Sequence, residues 1–387
     1  MSGTTDEPLV LFEERAAANG ARIGFATLNS PKTLNGLSLA MARQLDAKLV
    51  EWAADDGIAL VVLQGAGDKA FCAGGDLHSL YHSMLEHRDA DDVLANAYAA
   101  EFFEVEYRLD HRIHAYAKPI LCWGHGIVMG GGIGLMSGAS HRIVTERSRL
   151  AFPEISVGLF PDVGGSWLLD RVPQRAGLFL ALTGAPLGMD DAIHAGLADE
   201  CLREDSRQAV FDAILAERWS GDAKGNHAHL DTLLAGFAQP SAPGPLQRHA
   251  EAIATIGAHQ DLDGMVAAIH ALDAGDDPWL AAAQKTLAAG SPGSARLGFE
   301  LQRRVASLSL ADAFRLEYIV ALHCAAHGDF AEGIRALLID KDRNPRWRPA
   351  TLAEADSAFA DPFFIAPQWP TGQHPLADLG TDQETSA

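Results

Sequence analysis

Phe71-Cys72-Ala73-Gly74-Gly75-Asp76-Leu77 comes shortly after a buried apolar run, LVVLQ (residues 60–64), and its reading decides how the first half of the chain folds. Two adjacent glycines let the backbone turn sharply and aim N–H groups at a ligand with no Cβ in the way. Asp76 is then placed to cap the helix that follows. A second stretch, HGIVMGGGIG (residues 125–134), repeats the arrangement after the short strand PILCW (residues 119–123), with Gly130-Gly131-Gly132 ahead of an apolar helical run. Free N–H groups at a helix start, at the positive end of its dipole, suit a developing oxyanion. Each cluster alone is accounted for by a tight turn or by close helix packing. Two of them, each between a strand and a helix, point to one shared site for a carbonyl oxygen.

Outward from these turns the chain alternates. IGFATLN (residues 23–29), HRIVT (141–145) and RLAFP (149–153) read as strands. Leu37, Met41, Leu45, Leu49 and Trp52 recur at helical spacing. A longer amphipathic helix is expected from about Leu94 to His114, with Phe102, Val105, Leu109 and Ile113 on one face. Such alternation argues for an α/β core whose sheets are covered by helices. After about Asp205 the sequence turns Ala- and Leu-rich, broken by AQPSAPGPLQ (residues 238–247). The expected organisation is a core over 1–205 carrying the site, a mainly helical region over 206–365, and a flexible, solvated tail over 366–387.

Composition narrows the function. The chain has 387 residues, 48% hydrophobic and 21% charged, which suits a large core plus an accessory region. No apolar run approaches the ~20 residues that cross a bilayer. Thirty Lys and Arg against 51 Asp and Glu give a formal charge of −21, which repels nucleic acid and anionic membranes. The start, MSGTTDEPLVLFEER, lacks the order of a secretory signal and the Arg-rich character of a transit peptide, so a cytoplasmic protein is expected. Four cysteines, Cys72, Cys122, Cys201 and Cys324, lie far apart and read as reduced thiols rather than as a disulfide or zinc framework. Sixteen histidines include His111 and His114 on one helix face, but no third ligand is apparent and no metal is expected.

GAGDKA (residues 65–70) fits a dinucleotide G-x-G-x-x-A, yet the chain runs on into FCAGGD where a helix would have to open, and this reading is rejected. P-loop, zincin and α/β-hydrolase patterns are absent. In PEISVGLFPDVGG (residues 153–165), Glu154 and Asp162 stand eight positions apart among apolar residues. Poorly solvated carboxylates have raised pKa values and suit proton transfer, although either could equally cap a turn.

FCAGGD, HGIVMGGGIG and PEISVGLFPDVGG, in this order and spacing, resemble the crotonase (enoyl-CoA hydratase/isomerase) superfamily. PKTLNGL (residues 31–37) resembles the stretch that superfamily uses near the CoA nucleotide, while GLFPDVGG (158–165), EYRLDHRI (106–113) and HGDFAEGIRALLIDKDRNPRWRPATL (327–352) are similar to its branch that hydrolyses short 3-hydroxyacyl-CoA thioesters. The resemblance implies a spiral of ββα units with a helical C-terminal region. It implies oxyanion donors at Gly75 and Gly131, catalytic acids at Glu154 and Asp162, an acyl contact at Glu106, and a CoA contact at Asn35, Gly36 and Leu37. It further implies an acyl-CoA substrate, as in valine breakdown, with coenzyme A part of the substrate and no separate cofactor. Hydratases of the superfamily carry a glutamate three positions after the middle glycine, where this chain has Gly134. That departure favours hydrolysis over hydration or isomerisation, while Glu154 and Asp162 disfavour a non-catalytic acyl-CoA-binding protein. Related folds often form trimers, so a homo-oligomer is possible. The four cations Lys341, Arg343, Arg346 and Arg348 could offset the acidic field near CoA phosphates or form a solvated loop.

Overall fold

The computed structural model describes residues 8–87 and 92–381. Strand β1 (Val10–Ala16) pairs antiparallel with β2 (Arg22–Leu28), and helix α1 (Leu39–Ala54) leads to β3 (Ile58–Gly65). From β3 onward the chain deals its strands alternately to two sheets. β5 (Ile120–Gly124), β7 (His141–Val144) and β9 (Glu200–Cys201) extend the first sheet in the order β1-β2-β3-β5-β7-β9. β4 (Ala70–Cys72), β6 (Ile127–Met129) and β8 (Arg149–Ala151) form a small second sheet in the order β4-β6-β8. Every named pairing after β1–β2 is parallel. Each strand pair is followed by helix: α2 (Leu77–Glu86) and α3 (Ala97–His114) after β4, α4 (Gly131–Ser137) after β6, α5 (Gly165–Asp170) after β8. This is the ββα spiral that the resemblance implies.

Local chemistry sets the boundaries. β3 lies between β2 and β5 and is buried along nearly its whole length, hence its unbroken apolar run. β1, which the sequence reading overlooks, is an edge strand whose charged Glu13-Glu14-Arg15 run interrupts its apolar pattern. α1 starts at Leu39 rather than Leu37, because Ser38 caps it by accepting from the Met41 N–H at 3.2 Å. Leu37 is instead bridged to Gly75. α3 starts at Ala97, where the Asn96 side chain accepts from the Ala99 N–H at 3.0 Å. GAGDKA runs straight into β4, and no helix opens there.

α4 is buried at all seven positions. Gly132 allows this, because a Cβ there would overlap the Cys72 carbonyl oxygen. Gly132→Ala is therefore expected to destabilise the fold by about 1–3 kcal/mol through overpacking. Calorimetry would show a lower Tm; an unchanged Tm would mean that β4 and α4 can part without cost.

Beyond Arg207 the chain is mainly helical as far as Ala326. The helix Leu310–Ala326 packs on α3 and α5, and Tyr318 Oη donates to the Ala100 carbonyl at 3.1 Å. Residues 366–381 are mostly exposed, but they are anchored at one point. Leu376 is fully buried there, and Arg315 Nε donates to its carbonyl at 2.9 Å. Residues 382–387 lie outside the described residues. All four cysteines are buried and unbridged. Among the described residues no helix is long and apolar enough to cross a membrane.

Candidate active site

The small sheet gathers the site. Its three parallel strands end side by side, and each runs directly into residues singled out above: β4 into Gly74-Gly75, β6 into Gly130-Gly131, β8 into Pro153-Glu154. The carboxyl ends of adjacent parallel strands bring their following loops to one rim. Gly74 and Gly130 have φ of +108° and +47°, a region that favours glycine. Leu37 fixes the first turn: its N–H donates to the Gly74 carbonyl at 2.8 Å and its carbonyl accepts from the Asp76 N–H at 2.9 Å. Among the described residues neither the Gly75 nor the Gly131 N–H has an acceptor. The two turns meet, since a Cβ on Gly131 would lie 3.5 Å from the Gly75 nitrogen.

Carboxyls crowd this point. A Cβ on Gly131 would collide with Glu106 Oε1, and one on Gly130 would lie 3.3 Å from Glu154 Oε1. Glu154 is 4% exposed and its Oε2 has no partner. Burial, reinforced by the charge of Asp162, pushes its carboxyl well above the usual range. Glu106, 2% exposed, is pushed up by the same two causes. Asp162 accepts from Tyr107 Oη at 2.8 Å; burial raises it to about 6 against that hydrogen bond. Among the described residues no lysine or arginine pairs with any of these carboxyls.

Three residues escape the sequence reading. Tyr107, from α3, holds Asp162 as described. Asp110, one turn beyond Glu106 on α3, is fully buried with neither oxygen partnered. Burial and the charge of Glu106 push its carboxyl well up. A Cβ on Gly134 would come within 2.5 Å of Asp110 Oδ2 and 2.8 Å of Val163 Cβ. The space a hydratase-type side chain would need at position 134 is thus already occupied. Glu317, on the helix Leu310–Ala326, is fully buried behind Asp162 and is raised by burial to about 8. One signal was available for the α3 pair: Glu106 and Asp110 are acids at i, i+4 within the apolar face.

Asn35 is corrected as a substrate-contacting side chain. It is fully buried, accepts from the Ser30 N–H at 2.9 Å and donates to the Ala66 and Ala70 carbonyls at 2.9 Å each. It clamps the loop; Gly36 and Leu37 lie against Gly74. His114 Nε2 sits 3.5 Å from Ser137 Oγ at the far end of α4, beside a cavity of about 370 Å3 that also touches Trp167 and Arg171. The loop carrying Lys341, Arg343, Arg346 and Arg348 is pinned by Trp347 Nε1 donating to the Ala289 carbonyl at 2.9 Å, with the four cations exposed.

Known proteins agree with this architecture. The family model described as enoyl-CoA hydratase/isomerase matches residues 23–364. The mitochondrial 3-hydroxyisobutyryl-CoA hydrolase of Danio rerio is 36% identical over 363 residues, covering 92% of this chain and 89% of that protein. The Homo sapiens protein of the same name is 33% identical, covering 89% and 85%. A solved structure titled carnitinyl-CoA dehydratase, from Mycobacterium thermoresistibile, superposes with a TM-score of 0.82 at 36% identity, covering 95% of this chain and 99% of that one. One titled enoyl-CoA hydratase, from Rhodobacter sphaeroides, gives 0.78 at 35%, covering 93% and 98%. The hydrolase relatives are mitochondrial proteins, which overturns the cytoplasmic expectation drawn from the N-terminal composition. Match length, fold and the three glycine and acid loops together show that the chain belongs to the enoyl-CoA hydratase/isomerase family.

Proposed function

We propose that the protein hydrolyses a short 3-hydroxyacyl-CoA thioester, foremost 3-hydroxyisobutyryl-CoA, to the hydroxy acid and CoA. The observation that carries this is the meeting of two unpartnered glycine amides with a buried, unpartnered Glu154, beside a Gly134 position that has no room for a hydratase acid. The names of the hydrolase relatives support the same reading.

The thioester carbonyl oxygen accepts from the Gly75 and Gly131 amides, which polarises the carbonyl carbon. Ionised Glu154 attacks that carbon, or removes a proton from a water that does. Either route moves the C=O electron pair onto the oxygen held by the amides. Collapse re-forms the carbonyl and breaks the C–S bond, and the departing thiolate takes a proton from the Asp162 side; on the direct route this leaves a mixed anhydride on Glu154, whose acyl C–O bond water then cleaves to restore the carboxylate. Water supplies the oxygen and proton that complete the acid. Glu106, one helix face away from Gly131, holds the hydroxyl of the acyl group. Acid, thiol and water balance with no further cofactor, coenzyme A being part of the substrate. Gly36 and Leu37 border the CoA side, and the exposed cations of the Lys341–Arg348 loop offer positive charge for its phosphates.

The solved structures titled hydratase and dehydratase make water addition to an enoyl-CoA the second reading. One experiment separates them: free thiol and enoyl absorbance are followed with 3-hydroxyisobutyryl-CoA and with crotonyl-CoA. Thiol release from the hydroxyacyl thioester alone is expected. Loss of enoyl absorbance without thiol would sink the hydrolase reading. Because Glu154 is held well above the usual carboxylate range, thiol release should keep rising with pH beyond pH 5, where an ordinary glutamate is already mostly ionised.

A further inference from the structure

The loop that carries Asp162 is held from an unexpected direction. Val163, β-branched, has φ +57°, and Gly164 follows at +79°. A β-branched residue adopts that conformation only where its surroundings hold it. Within the loop, the Gly165 N–H closes the turn onto the Asp162 carbonyl at 2.7 Å. The next restraint comes from the C-terminal helical region, far along the chain. Glu317 Oε2 accepts from the Gly164 N–H at 2.7 Å, and Oε1 accepts from the Ser166 N–H at 3.0 Å and from the Ser166 hydroxyl. On the other side of the loop, Tyr107 Oη reaches Asp162 Oδ2 at 2.8 Å. The loop is thus gripped between α3 and the helix Leu310–Ala326.

We infer that Glu317 is a positioning residue for the reaction: by binding the Gly164 and Ser166 donors it holds the left-handed turn and so fixes the direction in which Asp162 faces Glu154. This rests on the hydrolase reading above for the roles of Asp162 and Glu154. The C-terminal helical region then belongs to the active site through one carboxyl. A plain helix cap would also bind these N–H groups, but it would carry no consequence for turnover. Glutamine keeps the size of Glu317 but presents one acceptor and an NH2 group that opposes a buried N–H. Aspartate keeps the charge but withdraws it by one methylene from both donors.

Glu317→Gln and Glu317→Asp are expected to lower kcat for thiol release by about 10- to 100-fold, with KM changed less than threefold and near-native circular dichroism. The groups facing Glu317 are Tyr107 and Asp110 from α3, with Asp162 and Glu154 from the two loops. Burial raises Glu317 to about 8, so the parent gains a negative charge near Glu154 only as pH passes that value; Glu317→Gln cannot gain it, and its pH profile is expected to part from the parent's on the alkaline side. A folded Glu317→Gln whose kcat, KM and pH profile match the parent overturns the proposal. A lower Tm with unchanged kcat overturns it too, leaving only a cap. Should Glu317→Gln fail to fold, Ser166→Ala removes one of the three bonds and keeps the backbone. At least a threefold loss in kcat is then expected, and an unchanged kcat overturns the proposal. A parent that releases no thiol overturns the hydrolase reading instead, and the same kcat criteria then apply to whichever acyl-CoA it does turn over.

Discussion

Glu154→Gln is expected to lower thiol release from 3-hydroxyisobutyryl-CoA by about 10³-fold or more while leaving the protein folded. General base catalysis alone is worth about 10²–10⁴-fold, and a lost nucleophile costs at least as much. The variant tests both routes together, because glutamine neither attacks the carbonyl nor accepts the proton of a water. Residual hydrolysis near the parent rate would remove Glu154 from the mechanism. Stability should move the other way. The folded-state pKa of Glu154 is raised, so the native state holds this proton more tightly than the unfolded chain does. Between the unfolded value, about 4.3, and the higher folded one, the parent therefore loses stability as pH rises. Glutamine has no proton to lose there. The Tm of Glu154→Gln should thus pull ahead of the parent as pH is raised from 5 to 8, and a gap that closes over that interval would contradict the assigned burial.

Gly131→Pro should produce the second large effect, a loss of about 10²–10³-fold in kcat. Removing one oxyanion donor in other enzymes costs about 3–4 kcal/mol, and proline deletes the N–H that α4 offers at its first position. Proline is tolerated at that position of a helix. It also introduces a Cβ that presses on Glu106 Oε1, so the loss cannot be assigned to the amide from this variant alone. Gly131→Ala supplies the comparison, since it adds the same Cβ and keeps the N–H. The ratio of the two kcat values isolates the amide. Equal rates in the two folded variants would mean that Gly131 serves packing and not the oxyanion.

The sequence made the strand–turn–helix loops readable because each of them is local. The glycine pair with its Asp76 cap, the glycine triplet, and Glu154 among apolar neighbours are each legible within a few consecutive residues. How the loops meet was not readable, since it depends on β4, β6 and β8 becoming neighbours, and three-residue strands carry almost no periodic signal. Asn35 was misread for a related reason. The resemblance of PKTLNGL implies a ligand contact there, whereas the side chain's three hydrogen bonds reach Ser30, Ala66 and Ala70. Asp110 and Glu317 sit in helices whose charged residues mostly face solvent, and only tertiary packing shows that these two do not. Glu317-Tyr318 repeats the acid–tyrosine pair of Glu106-Tyr107, a hint that is visible in hindsight. Leu376 shows the limit of composition: a Pro- and Gly-rich stretch can still bury one anchoring side chain.

α4 also bears on how this enzyme could be adapted to other acyl groups. Gly131, Gly132 and Gly134 each already touch carboxyl or backbone atoms where a Cβ would go. These three positions therefore offer an engineer no side chain to trim and no room to add one. Recruitment of bulkier substrates would have to begin on the opposite wall, where Phe102 Cζ stands 3.0 Å from the Cβ position of Gly75. A smaller residue at position 102 would open volume beside the Gly75 amide. Under the proposed reading, α3 is then the helix to vary when the acyl range is to be widened, with the three glycines of α4 left as they are.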